Sequence, residues 1–213
     1  SNASNWTAVT DPSLLVAGQQ GFRAACSSNG QVMIVGQIVL STGSGGSVYV
    51  SSNAGTTWFD AGLVPVDTNS WSSVACSADG SGLLLAAGTA GIVASRSGGA
   101  TWDAVWTSSQ ISTIGCSSNG QYIVAALAGA GVIFSYDGGI TWTGQPVPNP
   151  GSWTAARAFS DGSGFLLTDG GPGYIYAGVP TQVPTPIWNY DFGLKAVSVR
   201  SGTGAPTSNT GIV

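Results

Sequence analysis

The sequence contains no histidine and no glutamate; its charged residues are five Lys or Arg and nine Asp, 7% of 213 residues. Ordinary soluble proteins carry roughly 25%. A net charge of −4 and a pI near 4.2 leave no basic footprint, so nucleic acid is not an expected partner. No apolar run approaches the roughly 20 residues of a membrane-spanning helix, and membrane insertion is not expected. The missing charge is made up by Ser, Thr, Asn, Gln and 33 glycines. A surface of that kind suits a secreted, cell-surface or virion protein. Ser1-Asn2-Ala3 reads as a cloning remnant.

Three cysteines cannot all pair within one chain, and they stand in like surroundings: Cys26 in "RAACSSNG", Cys76 in "SVACSADG", Cys116 in "TIGCSSNG". Each ends a run of small or β-branched residues, which is the setting of a small buried thiol in a strand. Disulfide, metal and nucleophile are the alternatives; without histidine a thiolate lacks its usual base. No cofactor motif is present.

The cysteines belong to a repeat. "FRAACSSNGQVMIVG" (22–36) returns as "WSSVACSADGSGLLLAAG" (71–88), "ISTIGCSSNGQYIVAA" (111–126) and "WTAARAFSDGSGFLLTDG" (153–170). With Cys26, Cys76, Cys116 and Phe159 as the shared position, the intervals are 50, 40 and 43 residues, and a fifth copy begins at "LKAVSVRSG" (194–202). Trp6, Trp58, Trp102, Trp142 and Trp188 keep a similar beat of 52, 44, 40 and 46. Repeats of about 40 to 50 residues signal a stacked or circular array.

Within each unit the pattern is β. Apolar runs are broken by Asn29-Gly30, Asp79-Gly80, Asn119-Gly120 and Asp161-Gly162, which predict tight hairpins with positive φ at both turn residues. Strand A ends at the Cys. Strand B ("VMIVG", "LLLAAG", "YIVAA", "FLLTDG") is continuously apolar, as for a strand covered on both faces. Strand C ("SVYVS", "GIVAS", "GVIFS", "GYIYA") leads to a turn, and strand D starts at the Trp. No 3.6-residue periodicity is sustained, so helix is not expected. Four strands per unit is the blade of a β-propeller.

The C-to-D turn is cleanest at "SYDGGITW": Ser135, Asp137, Gly139, Thr141 and Trp142. Worn copies are Ser51, Asn53, Gly55, Thr57 and Trp58, and Ser95, Ser97, Gly99, Thr101 and Trp102; a fourth keeps only Trp188. The Asp can accept turn amides, Gly supplies positive φ, and the Trp buries a large ring. This pattern resembles the Asp-box, or BNR repeat, of sialidases and many other β-propellers, and the resemblance covers most of the chain. It implies a peripheral structural role for those residues. Similar repeats occur in photosystem assembly factors and in secreted or viral propellers.

Sialidases in that family use an arginine triad, a Tyr nucleophile assisted by Glu, and an Asp acid/base. With no Glu and only Arg23, Arg96, Arg157 and Arg200, this chain departs from that set. A glycoside hydrolase using two Asp remains open on sequence, with Asp60, Asp103, Asp137, Asp161, Asp169 and Asp191 available.

Three residues stand apart as candidate ligand contacts. Arg157 falls at the position of Ala24, Val74 and Ile114 and is expected either to pair with Asp161 or Asp169 or to face a central channel. Trp71 and Trp153 open strand A in alternate units and either pack between blades or offer a stacking platform. Asn5-Trp6-Thr7 is a formal glycosylation sequon.

The expectation is therefore an all-β protein, one β-propeller domain over residues 4–200 with four complete blades and a partial fifth formed by the two chain ends. Residues 201–213 read as a polar tail or linker. The expected function is a non-enzymatic binding or structural module whose partner is an unknown protein or glycan.

Overall fold

Strands of two to eight residues, too short for helices and separated by Ser-, Asn- and Gly-rich turns, pair with their sequence neighbours. The computed structural model describes residues 9, 19–39, 46–62, 70–80, 82–147, 152–171, 173–179 and 185–189, with 19, 20, 39 and 185–189 by backbone alone. The first sheet contains β1 (Gln19–Cys26), β2 (Met33–Val39), β3 (Val48–Ser51) and β4 (Phe59–Asp60). The second contains β5 (Trp71–Cys76), β6 (Leu84–Gly88), β7 (Gly91–Ser95) and β8 (Asp103–Trp106). In the third are β9 (Ile111–Cys116), β10 (Ile123–Leu127), β11 (Val132–Ser135) and β12 (Thr143–Gln145). In the fourth are β13 (Trp153–Ala158), β14 (Phe165–Asp169), β15 (Tyr174–Gly178) and β16 (Thr185–Asn189).

Each sheet is an antiparallel meander in sequence order, so each repeat is one blade with strands A to D. The A strands line up: β1 packs on β5, β5 on β9, and β9 on β13. Among the described residues β13 makes no comparable contact with β1. The four blades therefore form an arc. The proposed fifth blade, with its Trp6 and 194–199 strands, and the tail at 201–213 lie outside the described residues.

Three apolar layers hold the arc together. Ile34, Val48 and Val50 meet Trp71, Val74, Leu84, Ala86 and Val93 between the first two blades. Leu83, Leu85 and Ile92 meet Ile111, Ile114, Ile123 and Ile133 between the next two. Val124, Val132 and Phe134 meet Trp153, Phe165, Leu167 and Tyr176 in the last layer. Each such Leu or Ile, fully buried, contributes about 1.5–3 kcal/mol.

Burial follows position in the arc. Every residue of β6 is buried, as its unbroken apolar run predicts for a strand covered on both faces. β14 instead alternates buried and half-buried, because Leu166 and Thr168 look outward from the last blade. At the other end Phe22 is 43% exposed, whereas the interior Ile114 of β9 is wholly buried.

The A-to-B turns differ from the expected two-residue hairpins. Gly30, Gly80, Gly120 and Gly162 have φ of 68 to 75°, but the only non-glycine residue with positive φ is Ala54 among those described. Asn29, Asp79 and Asn119 keep ordinary backbone because their side chains are tied to the turn. Ser27 Oγ donates to Asn29 Oδ1 and accepts from the Val32 amide, and Ser77 and Ser117 repeat this with Asp79 and Leu83, and with Asn119 and Tyr122.

These turns also correct the repeat alignment. The amide of Ser27, Ser77, Ser117 and Phe159 bonds the carbonyl of Val32, Leu83, Tyr122 and Gly164 in turn, so Phe159 matches the Ser and Ala158 matches the Cys. A one-residue slip moves a strand residue to the other face. Arg157 is thus equivalent to Gly115, Ala75 and Ala25, not to Ile114, Val74 and Ala24. Trp188 likewise lies inside β16, paired with Ile175, beyond the place that Trp142 holds at the mouth of its strand.

Candidate functional site

The two ends of the blades are built differently. At the end carrying the A-to-B and C-to-D connections, every link is six or seven residues long. At the opposite end the B-to-C links run from two to eight residues and the D-to-A links from four to ten. One end is uniform and the other varied.

At the uniform end the three C-to-D turns of the first three blades are held chiefly by hydrogen bonds within each turn. Ser135 Oγ accepts the Gly139 amide at 2.7 Å and donates to Asp137 Oδ1 at 2.8 Å. Asp137 Oδ1 takes the Thr141 amide at 2.9 Å, while Oδ2 takes the Thr141 hydroxyl at 2.5 Å. Those hydrogen bonds, Thr141 foremost, hold the Asp137 carboxyl down to about 2. Gly139 has φ 86°, which a side chain would resist, and its carbonyl accepts Trp142 Nε1–H at 3.2 Å. The worn copies reach the same geometry: Asn53 Oδ1 accepts the Thr57 amide at 2.9 Å, and Ser97 Oγ accepts the Thr101 amide at 2.8 Å. Trp58 and Trp102 donate to Gly55 and Gly99 as Trp142 does to Gly139. Arg96 reaches from the second blade's turn to the Gly138 carbonyl of the third.

The A-to-B turns are linked across blades. Ser28 N–H donates to Ala78 O at 2.7 Å, Ala78 N–H to Ser118 O at 2.8 Å, and Ser118 N–H to Ser160 O at 2.9 Å. Beside this staircase opens a cavity of about 260 Å³, lined by Cys26, Cys76, Cys116 and Ala158 together with Ser28, Ser118 and Ser160. All three thiols are free. Burial, then the neighbouring Cys26, pushes Cys76 up to about 11; burial, then Cys76, pushes Cys116 up to about 12. Both are protonated thiols at neutral pH, and Cys76 Sγ–H donates to Ser77 O. The sequence placed the cysteines in one repeat position; that this position borders an open cavity rather than a sealed core depends on the arc's curvature. Among the described residues no three His, Cys, Asp or Glu side chains converge to hold a metal ion together.

At the varied end the two tryptophans singled out above are packed away. Trp71 is fully buried with Nε1–H on Gly46 O at 2.7 Å, and Trp153, 5% exposed, donates to Ala130 O at 2.9 Å. Each pins the start of strand A to the preceding blade, and neither ring offers a face for stacking. The reading of Trp71 and Trp153 as ligand contacts gives way to packing.

Arg157 is exposed on the outer face of β13, with Nη1–H on Ala156 O at 2.8 Å. Neither expected ion pair forms: Asp161 accepts Ser163, and Asp169 accepts the Gly171 amide at the far end of the blade. Buried polar atoms without a hydrogen-bond partner are Trp106 Nε1, Gln145 Oε1, Asp169 Oδ2 and the Tyr176 hydroxyl among the described residues. Trp106, Gln145 and Asp169 are the last residues of β8, β12 and β14, all at the varied end. No sequence signal marks them, since orphaned atoms arise only from packing.

No protein-family model matches the chain, and no curated protein matches its sequence. Its fold is shared with solved β-propellers. A GH74 xyloglucanase from Xanthomonas campestris superposes with a TM-score of 0.66 at 19% identity, over 85% of this chain and 33% of that one. YCF48 bound to a D1 peptide gives 0.59 at 13%, over 84% and 56%. The Cps50 (Swd1) β-propeller domain from Myceliophteria thermophila gives 0.61 at 14%, over 83% and 56%. The chain thus spans less than two thirds of each of these proteins, and the likeness is one of fold. Four four-stranded antiparallel sheets packed through their A strands make this a β-propeller architecture.

Proposed function

We propose that the protein is a non-enzymatic propeller module that binds a protein or glycan partner through the loops at the varied end of its blades. The observation that supports this reading is the contrast in loop length: six or seven residues at every link of one end, two to ten at the other. Uniform turns with their polar groups satisfied internally act as scaffold, and loops that vary on a rigid scaffold are the usual carriers of binding. Three of the four orphaned polar atoms among the described residues belong to residues at that same varied end.

The placement of the aspartates favours binding over hydrolysis. Asp60, Asp79, Asp137, Asp161 and Asp169 each accept a nearby backbone amide. A hydrolase needs two carboxylates about 5–10 Å apart across a cleft. The low-charge, hydroxyl-rich composition supports a secreted, cell-surface or virion setting.

The test pairs catalysis with binding. The protein is incubated with xyloglucan and with chromogenic glycosides, and separately applied to a glycan array and a panel of extracellular proteins. The expected result is no release of reducing sugar above a protein-free blank, with any binding weakened by Ser108→Arg or Ser109→Arg in the exposed 107–110 link. Sugar release that an Asp→Asn substitution abolishes would establish the glycoside hydrolase instead.

A further inference from the structure

Three successive blades place a thiol at one structural position, and the fourth places Ala158 there. The inter-blade hydrogen bonds of 2.7 to 2.9 Å lie only two residues beyond each of these positions, so the thiols stand in file along one wall of an open cavity. Among the described residues no three such side chains are placed to hold one ion, so the cavity does not offer the three or four protein ligands that zinc sites use. A file of thiols suits a different coordination: two sulfurs on opposite sides of one ion.

We infer that Cys76, paired with Cys26 or with Cys116, forms a two-thiolate site for a soft d10 cation of the Cu(I) or Ag(I) type. Soft thiolates select such ions over harder ones, and no imidazole or carboxylate in the cavity wall competes for them. Binding is a ligand exchange without redox change. Two S–H bonds give up their protons to buffer, two S–metal bonds form, and the ion sheds water. Because each binding thiol gives up its proton, affinity falls with acidification. The cavity opens at the uniform end, so the site is independent of any partner at the varied loops.

Silver nitrate in chloride-free buffer is the probe. The intact protein is titrated while the remaining thiols are counted with a disulfide reagent and sulfur-to-silver absorption is followed in the ultraviolet. One ion per chain should remove two thiols together. Cys76→Ala should abolish that stoichiometry, because Cys76 is the shared partner, while Cys26→Ala should retain it through Cys76 and Cys116. Ala158 shows that alanine is accommodated at this position, and an unchanged circular dichroism spectrum verifies the fold of each variant. Thiols lost singly, one per ion, or a Cys76→Ala protein that titrates like the parent, would overturn the site.

Discussion

The backbone of Gly115 lies against that of Ala156: a Cβ on Gly115 would sit 2.6 Å from the Ala156 carbonyl oxygen and 2.9 Å from Arg157 Cα. The first and second blades carry Ala25 and Ala75 at this place, and both pack towards the blade that follows. The fourth blade carries Arg157. Neighbouring A strands are also latched by hydroxyls, Ser73 Oγ accepting the Ile114 amide and Thr113 Oγ1 the Ala156 amide, whereas the corresponding residue of β13 is Ala155. The outer face of the fourth blade therefore lacks the small residue that the first three blades carry there and the hydroxyl that the second and third blades use as a latch, while the first blade reaches its successor through Arg23 Nε–H on Ser72 O.

Gly115→Ala should lower stability by about 1–3 kcal/mol, since the added methyl meets main chain that cannot swing aside. Arg157→Ala, on the exposed face, should change it by less than about 0.5 kcal/mol. Urea unfolding of both variants checks the contrast, and equal effects would mean that the blades are not in backbone contact at Gly115.

Ser135→Ala removes the acceptor of the Gly139 amide and a donor to Asp137. The Ser135 side chain is 1% exposed, so the amide it leaves behind gains no water, and a loss of about 1–3 kcal/mol is expected. Chemical denaturation measures it; a neutral result would mean that the turn is held by Trp142 packing alone.

Acid should weaken the third C-to-D turn, the one among the three described that holds a carboxylate. The Asp137 carboxyl is held at about 2 against an ordinary 3.8, so its stabilising contribution is complete above pH 4 and is lost as the pH falls towards 2. Comparing melting temperatures of the parent and Asp137→Asn from pH 6 to pH 2 isolates this effect. The difference between them should shrink as the pH falls through that window, and a constant gap would contradict the assignment.

Tyr176→Phe tests the orphaned hydroxyl. Tyr176 is wholly buried against Trp153, with ring centroids 5.4 Å apart, and its oxygen has no partner. Deleting an unsatisfied polar atom while keeping the ring should leave stability unchanged or raise it by about 1 kcal/mol. A marked loss by thermal melting would show that the hydroxyl is bonded in solution.

Most of the architecture was legible because turn chemistry and repeat length are local properties. The four-strand unit and the positions of strands B and C follow from Asn-Gly and Asp-Gly spacing and from apolar runs. What failed did so at one-residue resolution. The fourth unit lacks both Cys and Ser at its turn, so aligning Phe159 with Cys116 placed Arg157 on the wrong face; the hydrogen bond from Phe159 N–H to Gly164 O fixes the register instead. The roles of Trp71 and Trp153 were undecidable from sequence because a strand-opening tryptophan serves packing and stacking equally well. Only the carbonyls of Gly46 and Ala130, distant in sequence, decide between them.

The staircase from Ser28 through Ala78 and Ser118 to Ser160 joins residues 50, 40 and 42 positions apart, always between consecutive repeats. No step can form until two adjacent blades are both in place. Folding is thus coupled like a row of dominoes, each unit raising the probability of the next and none sensing the unit beyond it. Amide exchange should carry that signature: a lesion confined to the third blade would unprotect Ala78 and Ser118 while leaving the amide of Ser28 as slow as before.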